Sequence, residues 1–202
     1  MGLLETSMGN LGQNGLVRLV GYQEFLSLDT RGRFRLPDDL AGAVHRELGR
    51  VAHHASADVP PAAFERLAFY FVPAPDRQVF LYPTTNIRLA LEQFVNPPSG
   101  MDPAVIRQAR GYFYGHVSFV EADRQNRLMI PAGLRAHAGI DEKVSEIYLV
   151  AQNHWLALSR SELARTKMLE GRQAFEQVAP DLLDPVYRTQ PGPGKPSTGQ
   201  GL

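Results

Sequence analysis

The chain contains no cysteine, which excludes a disulfide scaffold, a thiolate metal site and a cysteine nucleophile, and is compatible with an intracellular address. It also lacks a charge excess, with 21 Lys plus Arg against 21 Asp plus Glu over 202 residues. Any contact with nucleic acid must come from local clustering of cations, because the total supplies no field. Long apolar runs are missing and the first basic residue is Arg18, so neither a spanning helix nor an export signal is expected. No phosphate-binding glycine loop or dinucleotide fingerprint occurs. His116, His137 and His154 are scattered, and His45, His53 and His54 near Asp58 lack the i, i+4 spacing of a helical metal site. The expectation is a soluble, cytoplasmic protein with no enzymatic constellation, cofactor, metal or small-molecule substrate.

What is present is a hydrophobic fraction of 44%, enough for a buried core. The ends read differently from the middle. Residues 1–18, rich in Gly and Asn, read as a flexible arm. Gly2 and Thr6 fit the loose N-myristoylation pattern, which constrains those two positions only. Residues 186–202, ending in a stretch of Pro, Gly, Ser and Gln, read as a disordered tail.

The middle is organised by a repeat. Residues 21–40 laid over 115–134, at an offset of 94, give identities at Gly21/Gly115, Phe25/Phe119, Asp29/Asp123, Arg33/Arg127, Pro37/Pro131 and Leu40/Leu134. A second block, from Phe80 and from Trp155, aligns at an offset of 75, so the first copy is 19 residues longer. The extra length is assigned to a surface insertion near 45–61, because lengthening a loop costs little entropy. Each copy predicts strand, turn, short strand, helix, then a hairpin and a final helix. Gly32 and Asn126 suit the left-handed turn position. Asp102-Pro103 reads as an N-cap with Pro at N1 of a linking helix, and Gly139 as a helix stop. Ser159 and Glu162 have capping-box spacing, predicting a helix from about 160 to just short of Pro180. A copy this small is expected to share its core with the other.

The repeated feature is Asp-x-x-x-Arg across a tight turn. An Asp before a turn can accept backbone N–H bonds from residues just ahead, and an Arg four positions on can fork onto that carboxylate or aim its donors at phosphate or guanine. The first loop carries Arg31, Arg33 and Arg35 against Asp29; the second carries Arg124 and Arg127 against Asp123. Chemistry alone leaves two readings open, a basic readout loop and a turn-stabilising pair repeated with its hairpin.

The stretch from Ser27 to Pro37 resembles the first signature of the MraZ family: leucine and aspartate, two variable residues, glycine, arginine, then an apolar residue and proline. Val79 to Pro83 is similar to the family's following strand, and Gly115 to Pro131 with Leu134 to Ile140 resembles its second signature. The similarity covers residues of about 19 to 167. It implies a mixed α+β, mainly β fold: tandem AbrB-like swapped-hairpin repeats forming a pseudo-symmetric double-split β-barrel with peripheral helices. The expected boundaries are then 1–18 for the arm, 19–98 for the first repeat, 99–185 for the linking helix, second repeat and C-terminal helix, and 186–202 for the tail.

The resemblance also implies a bacterial, nucleoid-associated transcriptional regulator. It would act as a ring-like homo-oligomer that binds short G-rich direct repeats in double-stranded DNA upstream of division and cell-wall genes. Carried over by position, Asp29, Arg31 and Arg33 are the contact loop, with Asp123 and Arg127 as counterparts. Within that reading Arg33 is assigned to base readout, Arg31 and Arg35 to phosphate, and Asp29 to holding the turn; Arg124 adds a cation to the second loop. The chain departs from the family pattern at Asn126, where a glycine is usual, and at Leu19 to Tyr22, which lacks the family's arginine. The alternative is an AbrB-like oligomeric scaffold or antitoxin-like protein-binding module, which needs no arginine loop.

Overall fold

The computed structural model describes residues 16–54, 67–97 and 99–183. The first 15 residues of the expected arm, residues 55–61 of the expected insertion, and the 186–202 tail lie outside the described residues. Contacts divide the chain after Ser161 into two compact units.

The first unit opens with β1 (Gln23–Ser27) and β2 (Arg33–Arg35), then α1 (Asp38–His54), β3 (Ala68–Ala74) and β4 (Gln78–Pro83). A 3-10 turn (Thr84–Asn86) leads into α2 (Ile87–Val95), and α3 (Pro103–His116) links the copies. The second copy repeats the order with β5 (Ser118–Glu121), β6 (Arg127–Met129), α4 (Ala132–Ala138), β7 (Glu146–Gln152) and β8 (Trp155–Arg160). The final helix is α5 (Ser161–Leu183), which from Glu162 on makes up the described part of the second unit and exposes Met168, Leu169, Phe175 and Val178.

Local signals account for most boundaries. Asp102 caps α3 by accepting from the Ala104 N–H at 2.7 Å, with Pro103 at the first helical position. Gly139 ends α4 in the left-handed region at φ 66°, where the Ile140 N–H returns to the Arg135 carbonyl at 2.8 Å. Other expectations are corrected. Ser159 is not an N-cap: it pairs with Tyr148 in the β7–β8 ladder, and α5 begins only at Ser161. That helix also runs through Pro180 to Leu183, the last described residue. The start of the extra length in copy one is helix and not surface loop. His45 to His54 extend α1, and Leu48 and Val51 are buried there because they continue the inward stripe begun by Leu40 and Val44. Residues 16–18 are docked and not a free arm, with Leu16 and Val17 buried.

Strand pairing is between copies as much as within them. The six-stranded sheet runs β1-β7-β8-β4-β3-β5, and β2 pairs with β6 in a separate two-stranded ribbon. All pairs are antiparallel. Exchanging each strand for its counterpart in the other copy reverses the six-strand order onto itself, so the pairing has a pseudo-two-fold. Among the described residues β1 and β5 are open edges and the sheet does not close into a barrel. One apolar cluster takes residues from both copies, packing Phe69, Phe71, Leu81, Ile147, Leu149 and Leu156 of the sheet against Phe34 and Leu128 of the ribbon. The shared core follows from size, since neither copy alone has two faces to bury. No described helix is long and apolar enough to cross a membrane.

Candidate nucleic-acid interface

The ribbon begins with two near-identical turns. In the first, Asp29 Oδ1 accepts the backbone N–H groups of Arg31 and Arg33, both at 2.9 Å, and the Gly32 N–H donates to the Asp29 carbonyl at 2.9 Å. The Arg33 Nε–H then donates to Asp29 Oδ2 at 2.7 Å. In the second, Asp123 Oδ1 accepts from the N–H groups of Gln125 and Arg127 at 2.8 and 3.0 Å, and Arg127 Nε donates to Asp123 Oδ2 at 2.7 Å. Each turn needs a left-handed residue, supplied by Gly32 at φ 77° and Asn126 at φ 57°.

These bonds act on the carboxyls. The Arg127 backbone N–H, seconded by its guanidinium and the Gln125 N–H, holds Asp123 down at about 2, from an ordinary 3.8. The corresponding bonds from Arg33 and Arg31 lower Asp29. A folded-state value below the unfolded one adds stability above the unfolded value, and that stability is lost as pH falls through the folded value. A carboxyl-detected NMR titration should therefore place the Asp123 midpoint near 2, with the turn's contribution fading between 3.8 and that point. A midpoint at the ordinary value would mean that these bonds do not form in solution.

Pairing then joins the two loops. In the β2–β6 register, Arg33 faces Met129, Phe34 faces Leu128 and Arg35 faces Arg127. Alternation sends Phe34 and Leu128 into the core, and so Arg33, Arg35, Arg127 and Met129 share the outer face. Cross bonds lock the ribbon ends: the Leu36 N–H donates to the Asn126 carbonyl at 2.8 Å, and the Ile130 N–H to the Gly32 carbonyl at 2.9 Å. Arg35 Nη2 forks onto Asp38 at 2.8 and 2.9 Å. Arg31 and Arg124 are exposed and, among the described residues, form no ion pair.

All seven residues singled out in the sequence thus meet on one ribbon. Arg33 and Arg127 brace their turns, and Arg35 is tied to Asp38, which leaves Arg31 and Arg124 as the least committed cations. Sequence reasoning missed Arg135. It projects from α4 over the first turn, where a Cβ on Gly32 would lie 2.8 Å from its Cδ and 3.0 Å from its Nη1. No local pattern signals a contact between residues so far apart in sequence. Gly32→Ala should lose about 1–2 kcal/mol from the left-handed backbone alone, and more from displacing Arg135, whereas Asn126→Gly should be close to neutral; urea unfolding of both variants checks this.

Three histidines bond within the fold, His116 Nδ1 to the Tyr112 carbonyl at 2.8 Å and His154 Nδ1 to the Val17 carbonyl at 3.2 Å among them. His137 spans the Tyr112 hydroxyl and the Ala74 carbonyl, each at 2.8 Å. Phe69 and Phe71 lie in the core, while Tyr70 packs its ring on Phe119 at 5.3 Å.

Comparison with known proteins converges on one family. Residues 113–159 match the family described as "MraZ protein, putative antitoxin-like". Three similar proteins are each named Transcriptional regulator MraZ. The one from Lachnoclostridium phytofermentans is 31% identical over 86 residues, covering 40% of this chain and 59% of that protein. The one from Syntrophomonas wolfei subsp. wolfei is 25% identical over 127 residues, covering 61% and 85%. The one from Idiomarina loihiensis is 29% identical over 119 residues, covering 59% and 66%. The chain therefore spans less than two thirds of the first relative's length.

Proposed function

We propose that the chain is a member of the MraZ family, to which residues 113–159 and three relatives are similar, and that it regulates transcription by gripping duplex DNA with the outer face of the β2–β6 ribbon. The observation that carries this reading is the convergence of five arginines from both copies on one exposed antiparallel ribbon, two of them, Arg31 and Arg124, without an ion pair among the described residues. A two-stranded ribbon fits the major groove, and arginine is the side chain suited to a guanine edge and to phosphate. Arg33 donates one of its five N–H groups to Asp29 and takes the base contact with others; Arg31 and Arg35 take phosphate; Asp29 and Asp123 hold the turns. The second loop, through Arg124 and Arg127, adds to the same footprint.

The reading extends to a homo-oligomeric ring on short G-rich direct repeats upstream of division and cell-wall genes, in the nucleoid. Weak contacts by single subunits then add by multivalency, as a chain of zero net charge requires. The self-reversing strand order supports a tandem AbrB-like, swapped-hairpin relation between copies, with the open sheet and ribbon as two parts of a double-split barrel.

The test is a binding selection on random duplex DNA with two variants. Arg33→Ala should lose specific retention, while Arg31→Ala should weaken all sequences alike and reduce the salt slope by about one. Affinity of the unaltered protein should fall steeply with salt. A flat salt dependence would favour the scaffold or antitoxin-like protein-binding reading, to which the matched family's description also points.

A further inference from the structure

The last helix is longer than the repeat requires. At the offset of 75 that relates the two hairpins, α2, which ends at Val95, corresponds to a helix ending at Glu170, whereas α5 runs on to Leu183. It also begins at Ser161, beyond the residues 113–159 that match the family, so neither the repeat nor the matched stretch accounts for it. Every residue from Met168 to Val178, about three turns, is exposed. A helix of that length is marginal in water when nothing packs on it, and Gly171 within it weakens it further. Such a segment needs a face to bury.

Met168, Gly171, Phe175 and Val178 supply it. They follow one another at intervals of three, four and three, which sets them along one seam of the helix. Met168, Phe175 and Val178 are 42%, 54% and 45% exposed, and a Cβ on Gly171 would meet nothing within 4 Å. Leu169, also exposed, lies off the seam. The seam is uneven in size, with a gap at Gly171 and a bulky ring one turn later at Phe175. That unevenness selects the occupant. Two copies side by side in parallel would set glycine against glycine and ring against ring, a void beside an overfilled layer. Turned antiparallel about a two-fold axis, the same seam sets Gly171 of each helix opposite Phe175 of the other, and Met168 opposite Val178, so that each large side chain meets a small one. Charge agrees with this arrangement. Arg172, at the edge of the seam, donates to Glu176 at 2.7 Å, and the two-fold brings two such pairs together with cations and carboxylates alternating around the axis.

We propose that the segment Met168 to Val178 of α5 forms a two-fold, antiparallel helix pair with the same segment of a second copy of this chain. The contact is isologous, whereas a ring closes through a heterologous one, so the pairing is additional to the proposed ring and independent of DNA binding. Four layers make a short seam. A single pair is therefore weak, and the link strengthens where several subunits present their helices together.

Because the chain has no cysteine, single substitutions report the orientation. Full-length Met168→Cys and Val178→Cys proteins are mixed and mildly oxidised, and the disulfides are identified by mass spectrometry. Each chain then holds one thiol, so every link joins two chains. Links from position 168 to position 178 should exceed like-to-like links about tenfold or more, since only the former lie within bridging distance in the antiparallel seam. Gly171→Leu, added to both proteins, makes the helix more apolar and a better helix former, yet should reduce the 168-to-178 link about tenfold by filling the space that Phe175 of the other copy needs. Phe175→Asp should do the same and lower the mass of the assembly in sedimentation, whereas Leu169→Glu should change neither. Predominant like-to-like links overturn the antiparallel pairing. Links undiminished in Gly171→Leu overturn the register that sets glycine against ring. No link at all, with a mass indifferent to Phe175→Asp, overturns the pairing of copies and leaves the seam to the chain's own tail or to an apolar partner of another kind.

Discussion

Replacing Phe34 with alanine should destabilise the fold by about 3–5 kcal/mol, the range for a buried aromatic truncated in a core that cannot collapse. Phe34 is 1% exposed, faces Leu128 across the ribbon and bridges to Leu28. It belongs to the apolar cluster that both copies share. The ribbon above it is pinned at both ends by the Asp29 and Asp123 turns, and so cannot sink to fill the space. The upper part of the range is therefore expected. In urea the midpoint should fall with an unchanged slope, and heating should show a drop of roughly 6–20 °C at 2–4 °C per kcal/mol. DNA affinity should fall as well, because the same side chain supports the outward arginines. Met129→Ala, next along the ribbon but exposed, should stay within about 0.5 kcal/mol. Similar stabilities for the two variants would contradict the assigned inner and outer faces.

Asn86→Leu should cost about 2–5 kcal/mol, since each buried backbone group left without a partner costs about 1–3 kcal/mol. Asn86 is fully buried and uses all four of its amide hydrogen-bonding positions. Its Oδ1 accepts from the Val17 N–H at 2.9 Å and the Thr85 hydroxyl at 3.0 Å; its Nδ2 donates to the carbonyls of Val17 at 2.8 Å and His154 at 2.7 Å. Leucine matches the volume and leaves the buried Val17 N–H and the His154 carbonyl without their Asn86 partner, and the Val17 carbonyl with only the His154 Nδ1 contact at 3.2 Å. The segment carrying Leu16, Val17 and Leu19 should detach first. Hydrogen exchange at Leu19, whose N–H is bonded to the Asn153 carbonyl at 2.5 Å, reads that release directly. Protection at Leu19 as in the unaltered protein would show that the amide does not hold this segment.

Much of this was legible beforehand where the chemistry is short-range. The Asp29 and Asp123 turns span four residues, so residue type and spacing expose them, as they do the Asp102 cap and the Gly139 stop. The docking of residues 16–18 was not legible, because its anchor, Asn86, lies 69 residues away and an asparagine beside threonines reads as ordinary turn chemistry. The helical start of the copy-one extension was missed for a related reason. Its histidines and glycine suggested a loop, and burial of Leu48 and Val51 overrode that local preference. From the residues alone, β1 and β2 read as a hairpin; in the fold a single bridge, Leu28 to Phe34, joins them, and their ladders go to β7 and β6.

The sequence by itself determined that this protein is built twice, that each copy carries an aspartate-braced turn with arginines around it, and that no cysteine chemistry takes part. It left undecided whether those arginines brace turns or face outward. Tertiary structure decided that, and the answer differs by residue: Arg33 and Arg127 close their turns, Arg31 and Arg124 stay uncommitted, and Arg135 joins the first turn from another helix. A turn is closed by bonds between neighbours and can be read from spacing. The face shared by two loops that stand 94 positions apart exists only once the β2–β6 pairing and the common core have brought them together.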